Sequence, residues 1–293
     1  MNRIDADVML SLKIDHLDNV VARRRTEVTF VATAGFAAAI GAEEARYLDD
    51  TVSGGPVAPP SFIASLEWPA LRSAEVFEAI GVSEETFLLH LLHAFQDTQF
   101  GRLIRPGDVL TTTARLEAAR ETRSGVLLTF GIETRGAAGE EVAQSWFGAF
   151  FRNAALACVS PREQAAPAAF DGLAAYQPMG TIAVARAAPF VYAAAGLANP
   201  LHTERRFAQR AGLADVAMQG TFLWAVAGER LVAAFAGGEP TRLARLTARF
   251  SNVVRTGQVV TLLVAPQPDG VAFRVQGAAG LPLVTHGLAV FAK

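Results

Sequence analysis

Cysteine is almost missing from this chain: Cys158 stands alone among 293 residues. A lone thiol excludes an intramolecular disulfide and a cysteine-based zinc site. Its neighbours, Ala154-Ala155-Leu156-Ala157, supply no base, so it reads as a small buried hydrophobe and not as a nucleophile. An excess of charge of either sign is missing too, since 26 Lys and Arg stand against 28 Asp and Glu, a net charge of −2. That balance argues against a nucleic-acid partner, which calls for a basic face, and against a polybasic membrane anchor. No apolar run reaches the roughly 18–20 residues of a membrane span. The best candidate, 221–238, is broken by Glu229 and Arg230. Residues 1–20 carry Asp5, Asp7, Lys13, Asp15, His16 and Asp18, which interrupt any signal-peptide pattern. The expectation is a soluble, cytoplasmic protein with no membrane partner.

Apolar residues are plentiful, at 51% against 18% charged, so a large core can form. The length suits two domains better than one. A duplication supports that division. Phe100-Gly-Arg-Leu-Ile-Arg105-Pro-Gly107-Asp-Val-Leu110 recurs 150 residues on as Phe250-Ser-Asn-Val-Val-Arg255-Thr-Gly257-Gln-Val-Val260. After each copy come Val-, Leu-, Thr- and Phe-rich runs separated by Gly and Asp turns. They span 125–134 and 142–151 in the first half, and 259–265, 271–276 and 283–291 in the second. Such runs read as antiparallel hairpins, with Arg-x-Gly as the turn feeding the first strand. Before each copy lies a helical region. Phe62, Ile63, Leu66, Trp68 and Leu71 recur at helical spacing over 60–80, where Pro69 argues against one continuous helix. The 221–236 run is apolar around most of its circumference and predicts a buried helix. An apolar helix followed by antiparallel strands predicts, twice over, a sheet wrapped around a helix. The boundaries expected are 1–153, a linker over 154–175, and 176–293.

The sharpest local signal is Gly196-Leu197-Ala198-Asn199-Pro200-Leu201-His202-Thr203-Glu204, followed by Phe207-Ala208, Ala211-Gly212-Leu213 and Gln219-Gly220-Thr221. It resembles the hydratase-2 motif of the MaoC-like (R)-specific enoyl-CoA hydratases and 3-hydroxyacyl dehydratases. That pattern reads Ser-Gly-Asp-x-Asn-Pro-x-His, then an acidic residue two positions on, Ala-Gly-Leu, and a His-Gly pair opening the central helix. Gly196, Asn199, Pro200, His202 and Gly220 match it, and Glu204 takes the acidic position. The first half is similar to the N-terminal dehydratase domain of two-repeat members, through Gly54-Gly55-Pro56-Val57-Ala58-Pro59-Pro60-Ser61-Phe62 and Arg105-Pro106-Gly107-Asp108. The resemblance covers nearly the whole chain. It implies an α+β double hot-dog fold, two antiparallel sheets each wrapped around a central apolar helix, with the paired halves forming an acyl-thioester tunnel. It implies His202 as acid/base and the Gly220 N–H as the donor to the thioester oxygen. Asn199, Gln219 and Leu197 stand as substrate-binding positions.

Two departures bear on the chemistry. Leu197 stands where the family has its catalytic aspartate, and Gln219 where it has histidine before the helix glycine. The first-half counterpart, Gly41-Ala42-Glu43-Glu44-Ala45-Arg46-Tyr47, has Ala42 and Tyr47 where Asp and His would stand. Leucine can neither accept a proton nor hold a water. Three explanations stay open: His202 works alone, another acid such as Asp215 or Glu204 has moved in, or the site binds acyl thioesters without turnover. The leading function is therefore a hydratase or dehydratase of CoA- or carrier-protein-linked thioesters that needs no metal or redox cofactor. A non-catalytic acyl-CoA-binding or partner subunit is the second reading. A hot-dog thioesterase is the third, since no Asp or Glu adjoins Gly220. A homodimer is allowed, but no residue argues for it.

Other candidates have plainer readings. His90 and His93 have a metal-like spacing without a third ligand, and read as core or interface histidines. His286 reads as a hydrogen-bonded strand residue and His16 as exposed. Glu204 reads as a solvated helix residue, and Arg23-Arg24-Arg25 as a solvated run with a CoA phosphate as the alternative. Gly54-Gly55-Pro56 lacks the Lys-Ser/Thr ending of a phosphate loop.

Overall fold

The computed structural model describes residues 9–15, 17–157 and 175–292. His16, Cys158 and most of the expected linker lie outside them.

In the first half, β1 (Leu10–Leu12) and β2 (Val20–Glu27) lead into α1 (Phe30–Ile40) and α2 (Ala45–Leu48). Thr29 starts α1 by accepting the Ala32 N–H on its hydroxyl at 3.2 Å. A tight turn at Pro60–Ile63 runs into α3 (Ala64–Leu71), then α4 (Ala74–Ala79) and α5 (Glu84–His90). The interruption expected from Pro69 exists, but α3 continues two residues past the proline. The strands β3 (Leu91–Phe100), β4 (Val109–Thr122), β5 (Gly125–Arg135), β6 (Glu141–Arg152) and β7 (Ala154–Leu156) follow. The residues expected to open the linker thus form β7, paired in parallel with β1.

The second half repeats the plan with β8 (Gln177–Val184), α6 (Ala188–Tyr192), a wide turn at Ala193–Leu197, α7 (Pro200–Thr203) and α8 (Arg205–Arg210). Then come β9 (Ala217–Met218), α9 (Gly220–Phe235), β10 (Leu243–Phe250), β11 (Val254–Arg255), β12 (Gln258–Gln267), β13 (Gly270–Gln276) and β14 (Pro282–Phe291). The unbroken stretch of α9 from Thr221 to Gly228 is buried, as an apolar helix held inside a curved sheet must be.

The sheet order is β2-β4-β5-β6-β3-β10-β14-β13-β12-β8. The two expected sheets are therefore continuous, five strands from each half, joined antiparallel where β3 meets β10. The register at the join explains the duplication. The 150-residue offset maps Asp97 onto Thr247, and these two residues are partners; Gln99 pairs with Arg245 and Phe95 with Arg249. A local two-fold thus passes through the Asp97–Thr247 pair. The repeated Arg-x-Gly turns obey it as well. Gly107 and Gly257 both have positive φ, 90° and 77°, and their N–H groups donate to the ends of equivalent segments, at Val28 O and Val184 O. Only glycine takes that conformation without steric cost.

Two further contacts hold the halves together. Asp97, 1% exposed, accepts a two-pronged hydrogen bond from Arg245 at 2.8 and 2.6 Å. Inside the sheet, Phe36 packs on Phe62 at 5.6 Å and Tyr192 on Phe222 at 5.7 Å, and Phe36 and Tyr192 meet at 5.7 Å. The four rings form one symmetric cluster between the helices.

Candidate active site

The loop before His202 is shaped by α3 of the other half. Gly196 adopts φ +99°, and a Cβ there would lie 2.9 Å from Ser65 Cβ, so a side chain is excluded twice over. Ser65 Oγ donates to Ala195 O at 2.7 Å, while Trp68 Nε1 and an Arg72 guanidinium N–H both donate to Ala198 O at 2.8 Å. Asn199 then caps α7: its Oδ1 accepts the Leu201 N–H at 2.9 Å, and Pro200 occupies the first helical position. This stop-and-restart turns His202 inward.

His202 Nδ1 lies 2.9 Å from Ala217 O. A carbonyl only accepts, so Nδ1 carries the proton and Nε2 keeps its lone pair. Burial pulls the ring down to about 4, and the Ala217 carbonyl offsets only part of that. The imidazole is therefore neutral at pH 7, with one basic nitrogen. Ala217 belongs to β9, which pairs with β11, and β9 leads straight into α9. The Phe222 N–H donates to Gln219 O at 3.1 Å, while the Gly220 and Thr221 N–H groups ahead of it lie at the positive end of the helix dipole. Phe250 lies across this end; a Cβ on Gly220 would come within 2.8 Å of its ring. Gln219 precedes the helix, 6% exposed, with Nε2 reaching Leu197 O at a long 3.4 Å. Its Oε1 is buried and finds no partner among the described residues.

These groups meet at one cavity of about 300 Å³. Leu197, Asn199, His202, Gln219 and Gly220 all line it. Asp215 and Glu204 do not, which removes these two acids from the second of the three explanations. Asp215 is exposed and gripped by Arg205 at 2.6 and 2.9 Å, which holds its carboxyl down to about 2. Glu204 is exposed at the junction of α7 and α8, so water solvates it far better than a pocket could.

The remaining wall comes from the first half, and there the sequence reading missed a carboxylate. Glu67 is 2% exposed and lines the cavity with Ala64 and Trp68, its neighbours on the same face of α3. Gln96 Nε2 donates to Glu67 Oε2 at 2.9 Å and to Thr98 Oγ1 at 3.0 Å, and Thr98 and Ser145 share a hydrogen bond at 2.9 Å. Burial outweighs these donors and pushes the carboxyl up to about 7. The only trace in the sequence was one acid inside the apolar run Phe62–Leu71, on the helix face shared with Ala64 and Trp68. His93 also lines the cavity, at the junction of the halves. It stacks on Phe147 at 3.7 Å and tilts against Phe250 at 4.7 Å, and burial takes it down to about 3.

Elsewhere the plainer readings hold. Arg23, Arg24 and Arg25 are exposed on β2, an outer strand of the sheet, and do not line the cavity. His286 Nδ1 lies 3.0 Å from Thr285 Oγ1 on β14. In the first-half counterpart of the loop, Tyr47 is 2% exposed and its hydroxyl donates to Glu229 Oε2 of α9 at 2.9 Å. A buried phenol, bonded across to α9, thus stands where the second half carries His202.

Comparison with known proteins agrees with this arrangement. Residues 19–145 match the family model described as FAS1-like, dehydratase domain region, and residues 174–280 match the MaoC like domain. The 3-hydroxyacyl-thioester dehydratase Y of Mycobacterium tuberculosis is 33% identical over 90 residues, 30% of this chain and 31% of that protein. The match thus spans about a third of that relative's length. A crystal structure of a MaoC-like dehydratase from Phytophthora capsici superposes with a TM-score of 0.78 at 19% identity, covering 93% of this chain and 95% of that one. A Mycobacterium tuberculosis protein described as a double hot-dog fold gives 0.59 at 13% identity, covering 92% and 94%. With both halves matched in order, and a continuous sheet around two central helices, this chain joins a FAS1-like dehydratase domain region to a MaoC like domain in a double hot-dog fold.

Proposed function

We propose that the cavity takes an acyl thioester, linked to CoA or to an acyl carrier protein, and adds water across C2 and C3 of the trans-2-enoyl form or removes it from the 3-hydroxyacyl form. The observation that carries this reading is a neutral imidazole, its tautomer set by Ala217 O, in one cavity with the Gly220 end of α9. In the hydration direction, His202 Nε2 takes a proton from the water that attacks C3. The Gly220 N–H donates to the thioester oxygen as it gains enolate character, where helix-end donors act most strongly. The Oε1 of Gln219, without a partner among the described residues, is suited to hold the water, and Asn199 keeps α7 in place. Leu197, 5% exposed, contributes apolar wall where the family has an acid.

The test is direct. Purified protein supplied with crotonyl-CoA and with longer and branched enoyl-CoAs should consume the conjugated thioester absorbance. His202→Ala should lose about 10²–10⁴ of that rate, the usual worth of an acid/base group. A His202→Ala protein as fast as wild type would remove the imidazole from the reaction. A second reading, binding without turnover, draws on the apolar side chain at Leu197. It requires measurable affinity for a saturated acyl-CoA with no hydration of any enoyl-CoA. Release of free CoA thiol from saturated acyl-CoA, without hydration, would instead mark a thioesterase.

A further inference from the structure

We propose that Glu67, contributed by the first half, is the second acid/base group of this cavity and exchanges the C2 proton while His202 handles the water. The inference rests on the hydratase or dehydratase reading above and names the group that stands in for the missing aspartate.

Four observations converge on it. Glu67 lines the same cavity as His202, Gln219 and Gly220. The face of α3 that bears it also bears Trp68, whose indole holds Ala198 O of the active-site loop, so carboxyl and loop are positioned by one rigid element. Gln96, itself 1% exposed, holds Oε2. Burial outweighs the Ser145 and Gln96 donors and brings the carboxyl to about 7, where one group can both give and take a proton near neutrality. Among the described residues the other titratable groups lining the cavity are His93 from β3, pulled down to about 3, His202 from α7, and Arg152 from β6. Asp97 alternates to the opposite side of β3 from Gln96 and is occupied by Arg245. The elements α9, β10 and β11 bring no acid or base to the lining.

The proton balance closes without any further reactant. In hydration, His202 Nε2 takes one proton from water, the hydroxyl oxygen bonds to C3, and the C2–C3 π pair takes the proton of the Glu67 carboxylic acid at C2. The imidazolium and carboxylate left behind restore themselves by passing one proton from His202 to Glu67. Dehydration runs the same steps backwards: the Glu67 carboxylate takes the C2 proton, and His202-H⁺ protonates the departing hydroxyl. Both directions need the pair to hold one proton in total. kcat/KM should therefore rise with pH through about 4 and fall through about 7, limbs that belong to the pair.

Glu67→Gln keeps the shape and the Gln96 hydrogen bond while removing the exchangeable proton. It should lower kcat by about 10²–10⁴ with KM little changed, and the limb near 7 should vanish, while Glu67→Asp keeps that limb at a reduced rate. Butyryl-CoA affinity should stay near wild type and the thermal midpoint should not fall. An active wild type whose Glu67→Gln variant matches it in kcat and pH profile overturns this assignment alone. So does a variant that loses acyl-CoA binding and stability together, because that is a structural role. Should Glu67→Gln fail to fold, the wild-type profile decides, since a flat kcat/KM from pH 6 to 8 overturns the assignment. A wild type inert toward every enoyl-CoA and 3-hydroxyacyl-CoA overturns both the function and this role.

Discussion

At the scale of single residues, the site depends on what is absent from side chains as much as on what they bring. Gly220 has no Cβ, so the Phe250 ring can lie across the start of α9. Gly220→Ala should force that ring toward the cavity. The expected result is a loss of about 1–3 kcal/mol in a urea titration, together with a raised KM for enoyl-CoA. His202 illustrates how a single contact chooses between two chemistries: with Nδ1 bonded to a carbonyl, only Nε2 can act as base. The Gln219 amide oxygen, buried and without a partner among the described residues, is a polar atom that folding leaves unsatisfied. Such atoms are costly unless a water or ligand reaches them.

At the scale of elements, the first half keeps its helices for what they do to the second. α3 braces the Ala193–Leu197 turn and carries Glu67, and α2 places Tyr47 against Glu229 of α9. Glu229 is pushed up to about 7, mainly by burial. Tyr47→Phe should leave that carboxyl without its donor, and the protein should lose about 1–3 kcal/mol by denaturant unfolding. Hydration activity should change little, because Tyr47 does not line the cavity. The helices were read from spacing and the turns from Gly and Pro, so most of these elements were legible in the sequence. Glu67 was not. A lone acid in an apolar helix looks the same whether it faces solvent, a salt bridge or a cavity, and only the placing of α3, with Gln96 of β3 against the carboxyl, decides among them.

At the scale of the whole molecule, the join between β3 and β10 and the pH response are set by buried ionisable groups. Arg245→Met would strip Asp97 of its counter-ion at 1% exposure, and removing one partner of a buried pair costs about 3–5 kcal/mol, measurable as a lowered urea midpoint. The stability curve follows from four other groups. Glu67 and Glu229 keep their protons when folded up to about 7, whereas the unfolded chain releases them above 4.5, so their contribution is whole below 4.5 and declines until pH passes about 7. His202 and His93 stay neutral when folded down to about 4 and 3, whereas the unfolded chain binds protons below 6.5, so stability is lost as pH falls from 6.5. The two pairs oppose each other between 4.5 and 6.5, where stability should be highest and flattest, with a decline on either side. Urea midpoints across this range should show that plateau, and Glu67→Gln should lessen the decline above it.

The sequence by itself determined the duplication, the family resemblance, the hairpins and the buried helix, because periodicity, turn glycines and a spaced motif are local properties that each residue carries with it. It also placed His202 and Gly220 as candidates, through their spacing in one motif. Only the tertiary structure decided that the two halves share one sheet, that Asp215 and Glu204 stay in solvent, and that an acid from the first half faces the loop of the second. Those outcomes depend on which surfaces meet across more than a hundred residues of chain. The free energy of burying a charge is set by the neighbours that folding supplies, and the residue's own chemistry does not carry that information.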